Sequence, residues 1–341
     1  MTIAIHNNNH GFSPRWVAYC QQHGIAYKLV NAYDSDIIAQ VKDCDAFMWH
    51  FHQSDYRDML FARPLLRSLN NIGIRTFPDI NASWHFDDKV AQKYLFETID
   101  APLVPTYVFY DKKTALNWVN TTNFPKVFKL RGGAGASNVK LARSRKDAQR
   151  FIRKAFGRGF PQFDRLGYLK DRVKKGKDWH QKLRGLAAGM YRIGVGTPYS
   201  RMHGPEKGYV YFQDFIPAND SDIRVCVVAD RAFAIKRMTR KGDFRASGSG
   251  HIVYDINQID ERCVKIAFEV NQRLHMRSAA FDFVFDETNH PLIVEVSYGF
   301  TPDAYDLCQG YWTPDMQFHP SSHFDFCGWM VEDLIHKQTR K

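Results

Sequence analysis

Two carboxylates, Asp282 and Glu295, have the spacing of a metal-binding pair. The runs around them, 279–285 and 291–296, are apolar, β-branched and aromatic and flank a polar turn, which predicts a β-hairpin. With 287–290 as the loop, Asp282 lies directly opposite Glu295, and the two side chains share one face. Like charges opposed on an apolar face are destabilising unless they are neutralised. A Mg²⁺ ion that bridges nucleotide phosphates would neutralise them.

The same register pairs Asp286 with Pro291 and Val284 with Ile293, and it puts Ala280, Val284 and Ile293 on the carboxylate face. The alternative is a solvent-facing strand whose acids are hydrated. The opposite face is also apolar, which favours a hairpin buried on both sides.

A glycine-rich segment, 131–139, follows a predicted strand at 124–130, in which Lys129 and Val127 share one face. Glycines let the backbone N–H groups approach phosphate closely, and Lys129 can point at the same phosphates. The segment is not a Walker-type loop, because no Lys-Ser or Lys-Thr follows its last glycine.

A second predicted hairpin carries Arg224 on its first strand and Lys236 and Arg237 on its second, and Arg245 lies in the loop 242–250 that follows. An arginine on a strand is often a surface ion pair. For Arg224, on an apolar strand, a function is favoured; for Lys236 the surface pair is favoured.

Residues 1–80 must supply a scaffold, since short strands alternate there with helical patterns. This predicts a small open parallel sheet, with strands at 2–6, 25–30, 46–50 and 74–77 and helices at 13–23, 35–42 and 55–72. Ser13 is the expected N-cap of the first helix. The histidine pairs His6/His10 and His50/His52 lack a third ligand nearby and are interpreted as strand-end residues, placed where a substrate could lie.

Further along, 83–99 is expected to be a helix carrying Lys89 near its start, and 255–275 another helix, which packs on the sheet.

Composition narrows the class. The chain has 341 residues, 44% of them hydrophobic, enough for two or three subdomains. No apolar run of membrane-spanning length and no signal-peptide pattern is present, and six scattered cysteines without a Cys-x-x-Cys pair indicate reduced thiols in the cytoplasm.

The net charge of +11 lies in one segment, 150–207, which has 15 Lys and Arg against four acids, so the rest of the chain is neutral. Such a run is typically a solvated surface. The functional alternative is a platform for a polyanion: acidic polysaccharide, lipid headgroups or nucleic acid.

In their order along the chain these pieces resemble the ATP-grasp ligases, in particular the glutathione synthetases and ribosomal-protein glutamate ligases. The resemblance covers roughly 75–145 and 208–300. It matches Lys89 and Lys129 to two phosphate-contacting lysines and the segment 131–137 to the loop over the phosphates, with Gly132, Gly133, Gly135, Ala136 and Ser137 as its contacts.

The resemblance assigns the other site residues too. Gln213, Asp214, Phe215 and Ile216 match the adenine-contacting hinge, Asp222 lies near the ribose, and Arg224, Arg237 and Arg245 would serve the acyl phosphate and the acceptor carboxylate. Asp282, Glu295 and Ser297 match the metal ligands. Three features depart from the family pattern: Ser297 stands where the family has Asn, Ala246-Ser247 replaces Ser-Asn, and a basic insertion fills 146–207.

The implied fold is α/β and α+β: an N-terminal open parallel sheet (1–82), an ATP-grasp small subdomain (83–212) and a C-terminal subdomain (213–341). The implied activity is ATP-dependent carboxylate–amine ligation through an acyl phosphate, with two Mg²⁺ ions. The acceptor is a small molecule or a polyanion; nucleic acid is disfavoured, and a homodimer is left open. A non-catalytic ATP-binding protein and a phosphotransferase on the same fold are the alternatives.

Overall fold

The first 80 residues form a four-stranded parallel sheet, as the sequence predicts. In the computed structural model, which describes residues 1–133, 139–161, 202, 204–240, 243–246, 248 and 250–335, the strand order is β2-β1-β3-β4. The strands are β1 (Thr2–His6), β2 (Ala26–Val30), β3 (Ala46–Met48) and β4 (Arg75–Phe77). The helices are α1 (Ser13–Gln22), α2 (Ile37–Val41), α3 (Tyr56–Asn71), α4 (Ile80–Ser83) and α5 (Lys89–Glu97).

Two helix starts differ from the prediction. Ser13 is the first helical residue of α1 rather than its N-cap, which is Phe12 without a side-chain cap. The helix expected over 83–99 begins only at Lys89, because Asp87 adopts a positive φ of 52° and Asp88 caps α5 by accepting a hydrogen bond from Ala91 N–H. Lys89 is therefore the first residue of α5, and the helix fixes the position of its backbone.

A second, antiparallel sheet has the order β5-β8-β6-β7. Its strands are β5 (Thr106–Phe109), β6 (Lys126–Lys129), β7 (Lys140–Ala142) and β8 (Val210–Asp214), and its helices are α6 (Lys112–Thr121) and α7 (Arg145–Ala155). Phe128, Phe151, Phe160 and Phe212 lie in its apolar core.

A third sheet of seven strands has the order β13-β12-β9-β10-β14-β15, with β11 paired to β10. These strands are β9 (Ser221–Val228), β10 (Arg231–Met238), β11 (Ile252–Val253), β12 (Ser278–Phe285), β13 (Pro291–Ser297), β14 (Gly310–Trp312) and β15 (Phe318–Pro320). Helix α8 (Glu261–Arg273) and a 3-10 turn (Ile256–Gln258) replace the single helix expected over 255–275. A second 3-10 turn (Pro302–Tyr305) and α9 (Phe326–Ile335) complete the described chain.

The predicted hairpin at 279–296 exists, with one error in its register. Asp282 pairs with Glu295 as expected, but a bulge follows, so that Phe283 pairs with Ile293, Val284 with Leu292 and Phe285 with Pro291. The predicted pairs Val284–Ile293 and Asp286–Pro291 are therefore wrong. Because the bulge inserts one residue, Ile293 lies on the face of Phe283, away from the carboxylates.

Two compact units share the chain. One contains Met1–His52, Arg57–Leu103 and Ile216–Lys341; the other contains Gln53–Tyr56 and Val104–Phe215. This grouping does not test the predicted domain boundaries at 82/83 and 212/213, which stay a prediction.

All six cysteines are buried and unpaired. Across the described ranges, no helix combines the length and the apolar character needed to cross a membrane.

Candidate active site

One face of the large sheet carries a row of charges across three neighbouring strands. Asp282 on β12 lies opposite Glu295 on β13 and, on its other side, opposite Arg224 on β9. Glu295 Oε1 is 3.0 Å from Lys89 Nζ. The pairing of the two acids is confirmed, and cationic side chains of the chain itself neutralise them.

Asp282 is 6% exposed and binds two guanidinium groups. Its carboxylate accepts hydrogen bonds from Arg224 Nε at 2.5 Å and Arg224 Nη2 at 2.7 Å, and Arg237 Nη2 lies 2.9 Å from Oδ2. Burial alone would raise the pKa of Asp282, but the charges of Arg224 and Arg237 outweigh it and hold the pKa below its ordinary value. Asp282 is therefore a permanent anion.

Asp222 holds Arg237 from the other side. The two residues are register partners on β9 and β10, and both Asp222 oxygens accept hydrogen bonds from Arg237 Nε and Nη2, each at 2.6 Å. Burial raises the pKa of Asp222, although Arg237 opposes the shift. The ribose contact implied for Asp222 stays a prediction; what the geometry gives this residue is the orientation of Arg237.

These six side chains form what we call the ion-pair network: Lys89, Asp222, Arg224, Arg237, Asp282 and Glu295. It contains three cations and three anions, so it is neutral. Because Lys89, Arg237 and Asp282 are each at most 8% exposed, loss of any one charge would leave a buried partner uncompensated.

The donor set fits a hard divalent cation at one place. Asp282 Oδ1 accepts one hydrogen bond in the network, which leaves it a lone pair, and the Glu295 side chain is 29% exposed. Mg²⁺ in proteins takes one or two carboxylates and keeps several waters, and this pair could supply them. Ser297 contributes less, because its hydroxyl donates to Gly299 O at 2.7 Å. No group of three or more His, Cys, Asp or Glu suited to a metal occurs within the described residues.

A second predicted group lies in the other compact unit. Lys129 Nζ donates to Gln213 Oε1 at 2.6 Å, and Gln213 Nε2 donates to Thr106 Oγ1 at 3.2 Å. Lys129 and Gln213 are 6% and 2% exposed. Asp214 is paired with Lys126 at 2.5 Å. The structure thus joins the predicted phosphate lysine to the predicted adenine hinge through one hydrogen bond.

The remaining predicted residues are placed more loosely. Arg245 forms an ion pair with Asp243, two residues earlier, at 2.7 Å. Phe215 and Ile216 are half-buried just after β8, and Gly132 and Gly133 are half-buried, with Gly133 at φ 112°, a conformation that favours glycine. Gly135, Ala136 and Ser137 lie outside the described residues, as do most of the basic insertion and Gly242.

Gln92 on α5 is a site residue that sequence reasoning missed. Its Nε2 donates to Val296 O at 2.9 Å and its Oε1 accepts from Val296 N at 3.3 Å. Val296 lies between Glu295 and Ser297 on the edge strand β13. The only sequence signal was a polar residue three positions after Lys89, on the face of α5 that is buried.

His50 is a packing residue. Its ring stacks on Phe12 with centroids 3.9 Å apart, and its Nδ1 accepts a hydrogen bond from Phe12 N at 3.0 Å. A Cβ on Gly11 would lie 2.2 Å from that nitrogen, so the residue there must be glycine. Burial, and secondarily His52, lowers the pKa of His50 to about 3.

Residues 200–301 match the model of the RimK-like ATP-grasp domain. This range contains every member of the ion-pair network except Lys89. No curated protein matches the sequence.

Three solved structures share the fold at low identity. A RimK-domain ATP-grasp protein from Sphaerobacter thermophilus is 13% identical with a TM-score of 0.55, over 98% of this chain and 100% of that one. D-alanine–D-alanine ligase from Bacillus anthracis, complexed with ATP, is 12% identical with a TM-score of 0.55, over 98% and 97%. The biotin carboxylase domain of 2-oxoglutarate carboxylase from Hydrogenobacter thermophilus, complexed with MgADP, ADP and bicarbonate, is 12% identical with a TM-score of 0.59, over 100% and 70%.

Proposed function

Because the chain has the ATP-grasp fold and carries a RimK-like ATP-grasp domain, we propose that it is an ATP- and Mg²⁺-dependent ligase that joins a carboxylate to an amine. The observation that carries the proposal is the ion-pair network, with Asp282 and Glu295 directly opposed and two arginines fixed beside them. Fixed positive charge next to a pair of oxygen donors suits phosphoryl transfer.

The reaction would have two steps. A substrate carboxylate oxygen attacks the γ-phosphorus of ATP, the bond to the β-phosphate oxygen breaks, and ADP leaves. An amine nitrogen then attacks the acyl carbon of the acyl phosphate, the carbon–oxygen bond to phosphate breaks, and the amine loses a proton as the amide forms.

Because the ion-pair network has three cations and three anions, a role can be proposed for each of its members. Asp282 and Glu295 would hold Mg²⁺, which supplies charge neutralisation of the phosphates when it is bound. With Glu295 holding the metal, the Lys89 ammonium, which lies 3.0 Å from Glu295 Oε1, would be available to bind a phosphate oxygen. Arg224 and Arg237 would face the developing oxyanions, oriented by Asp282 and Asp222.

Lys129 and Gln213 lie in the other compact unit, and a nucleotide role is proposed for them separately. The hydrogen bond between them holds the Lys129 ammonium at a fixed place on its strand. Lys129 would contact phosphate and Gln213 the adenine edge. The identity of the acid and the amine would be set by groups outside this set.

The test is Mg²⁺-dependent release of ADP and phosphate against a panel of amino acids, dipeptides and uronic acids, with Asp282→Asn and Glu295→Gln as site variants. Glu287→Gln, an exposed acid in the hairpin loop, is the matched control. Turnover that needs one acid and one amine, is lost in both site variants and is kept in the control supports the ligase.

Two outcomes would contradict it. ADP release with an acid but without any amine, and with a stable acyl phosphate as the product, would identify a phosphotransferase. Nucleotide binding that raises the melting temperature without turnover on any pair would favour a non-catalytic nucleotide-binding protein.

A further inference from the structure

A basic surface lies on α7, outside the groups described above. Arg150, Arg153 and Lys154 have i, i+3, i+4 spacing, and Arg158 follows eight residues after Arg150. Together with Lys140 on β7 and the rings of Phe151 and Phe160, these side chains line a cavity of about 750 Å³. We call this cavity the basic groove.

The basic groove is on the opposite side of its sheet from Lys129. Phe128 on β6 contacts Phe151 and Phe160, with ring centroids 5.1 and 4.8 Å apart, so the Phe128 side chain points toward α7. Side chains alternate along a strand, and the next residue, Lys129, points to the other face, where it meets Gln213. A ligand in the groove would therefore be separate from a nucleotide held by Lys129.

The sequence around the groove is strongly basic. Residues 139–161 contain eight Lys and Arg but one acid, Asp147, which pairs with Arg150 at 3.1 Å. Within the described part of the chain, exposed Arg153 and Arg158 are in no ion pair. Like charges at helical spacing repel each other, and a bound anion would relieve the repulsion between these side chains.

The groove recognises charge rather than aromatic surface. Phe151 and Phe160 are 7% and 3% exposed, so neither ring offers a face on which a nucleic-acid base could stack. Lys154 Nζ lies 4.3 Å from the centroid of the Phe160 ring, so this cation–π contact fixes the ammonium group at the apolar surface of the groove. Three of the five cations are arginines, whose planar forks bind phosphate in bidentate fashion.

We propose that the basic groove binds a compact, soluble anion that carries clustered phosphate groups. The open cavity has the volume of a small molecule, and five cations line it. The groove is a second anion site, independent of the ligase reaction and of its nucleotide.

The test uses inorganic tripolyphosphate as the probe and isothermal titration of the full-length chain. We expect saturable binding that weakens at least 10-fold in the double variant Arg153→Ala/Arg158→Ala. The variant Arg143→Ala/Lys146→Ala removes the same charge from exposed residues that do not line the groove, and it should change affinity less than about 2-fold. Circular dichroism of each variant reports that the fold is kept.

Three results would overturn the proposal. The first is equal affinity in the groove variant and its control, or no saturable binding. The second is loss of binding in Lys129→Met with the groove intact, which would place the probe at the nucleotide site. The third is tighter groove-dependent binding of tricarballylate or single-stranded RNA than of tripolyphosphate, which would identify a polycarboxylate or a nucleic-acid site instead.

Discussion

At the scale of single residues, Asp282 is the residue on which the candidate site depends most. One carboxylate orients two guanidinium groups and offers an oxygen toward Glu295, while its own charge is secured by those same arginines. Asp222 orients only one guanidinium group, that of Arg237. In the proposed reaction, Asp282 would contact the metal, whereas Asp222 would only position Arg237.

The substitution Asp282→Asn should therefore fail in two measurable ways. It leaves Arg224 and Arg237 with one counter-charge fewer in a buried place, which should lower the free energy of unfolding by about 3 kcal/mol in urea titration. ADP production should fall at least about 100-fold. Glu287→Gln should change neither quantity. An Asp282→Asn protein of unchanged stability would mean that the arginines do not depend on this carboxylate.

The sequence predicts that the two acids oppose each other, and it singles out the arginines. It does not predict that the arginines pair with Asp282. Opposition of Asp282 and Glu295 follows from one hairpin, whose turn is local. The pair Asp282–Arg224 requires β9 to lie next to β12, and these strands are about 50 residues apart along the chain. Strand order is set by packing of the whole sheet, which periodicity in a single strand does not encode.

At the scale of elements, α5 and β13 are held together by Gln92. An edge strand leaves a row of backbone groups unpaired, and Gln92 satisfies both polar groups of Val296 at the point where β13 carries Glu295. The same helix begins with Lys89, the partner of Glu295. Helix α5 therefore fixes the Glu295 carboxylate in two ways: Gln92 binds the backbone of the next residue, and Lys89 binds the carboxylate itself.

Replacing Gln92 with leucine should leave the Val296 N–H and C=O without partners and lower the free energy of unfolding by about 2–3 kcal/mol. Hydrogen exchange at the Val296 amide should accelerate selectively. Lys93→Gln, one residue along, removes an ion pair with half-exposed Glu97 and a contact with the exposed Tyr94 ring, and it should lower stability by less than about 0.5 kcal/mol. Unchanged protection at Val296 in Gln92→Leu would count against this role.

The bulge in β13 shows why the position of a strand can be predicted more easily than which of its side chains share a face of the sheet. Counting back from the turn gives Val284 opposite Ile293, and counting alone cannot detect the extra residue. The pairing Asp282–Glu295 is correct although the pairs nearer the turn are wrong, because the loop is one residue longer than expected and the bulge in β13 compensates for that residue. Helix α5 is a similar case, since the positive φ of Asp87 gives no periodic signal.

At the scale of the whole molecule, three buried histidines make folding depend on pH. Burial lowers the pKa of His6 to about 4, of His50 to about 3 and of His85 to about 4. His6 and His50 also accept backbone hydrogen bonds through Nδ1, from Ala32 N and Phe12 N, which a protonated ring could not do. All three are neutral in the folded chain at pH 7.

Stability should therefore fall as pH falls from about 6.5 toward 4. In that window the unfolded chain binds protons that the folded chain does not, so the free energy of unfolding decreases by about 2 kcal/mol per histidine at pH 5. Urea titrations at pH 7.5, 6 and 5 measure the slope. His50→Gln should reduce the slope, whereas exposed His23→Gln should leave it unchanged. A flat profile between pH 7.5 and 5 would contradict the assignment.

The overall architecture is the part that the sequence predicts best. Alternation of strands and helices over 1–80 predicts the parallel sheet, and local patterns predict the hairpins β9–β10 and β12–β13. The histidines show the limit, because the sequence places His50 only near the end of a strand and does not predict that its ring packs between Phe12 and the backbone of Gly11.

The burial of every cysteine has a practical consequence. Burial raises the pKa of Cys20 to about 11 and of Cys226 to about 12 and raises the other four thiols as well, so few thiolates exist in the native chain and none has open access to a reagent. A cysteine introduced at the surface would then be the preferred target of a maleimide dye, and fluorescence could follow a chosen position without first removing the native thiols. The six native cysteines would react only when the chain opens, so the rate of their alkylation, followed by mass spectrometry, would report the rate of unfolding.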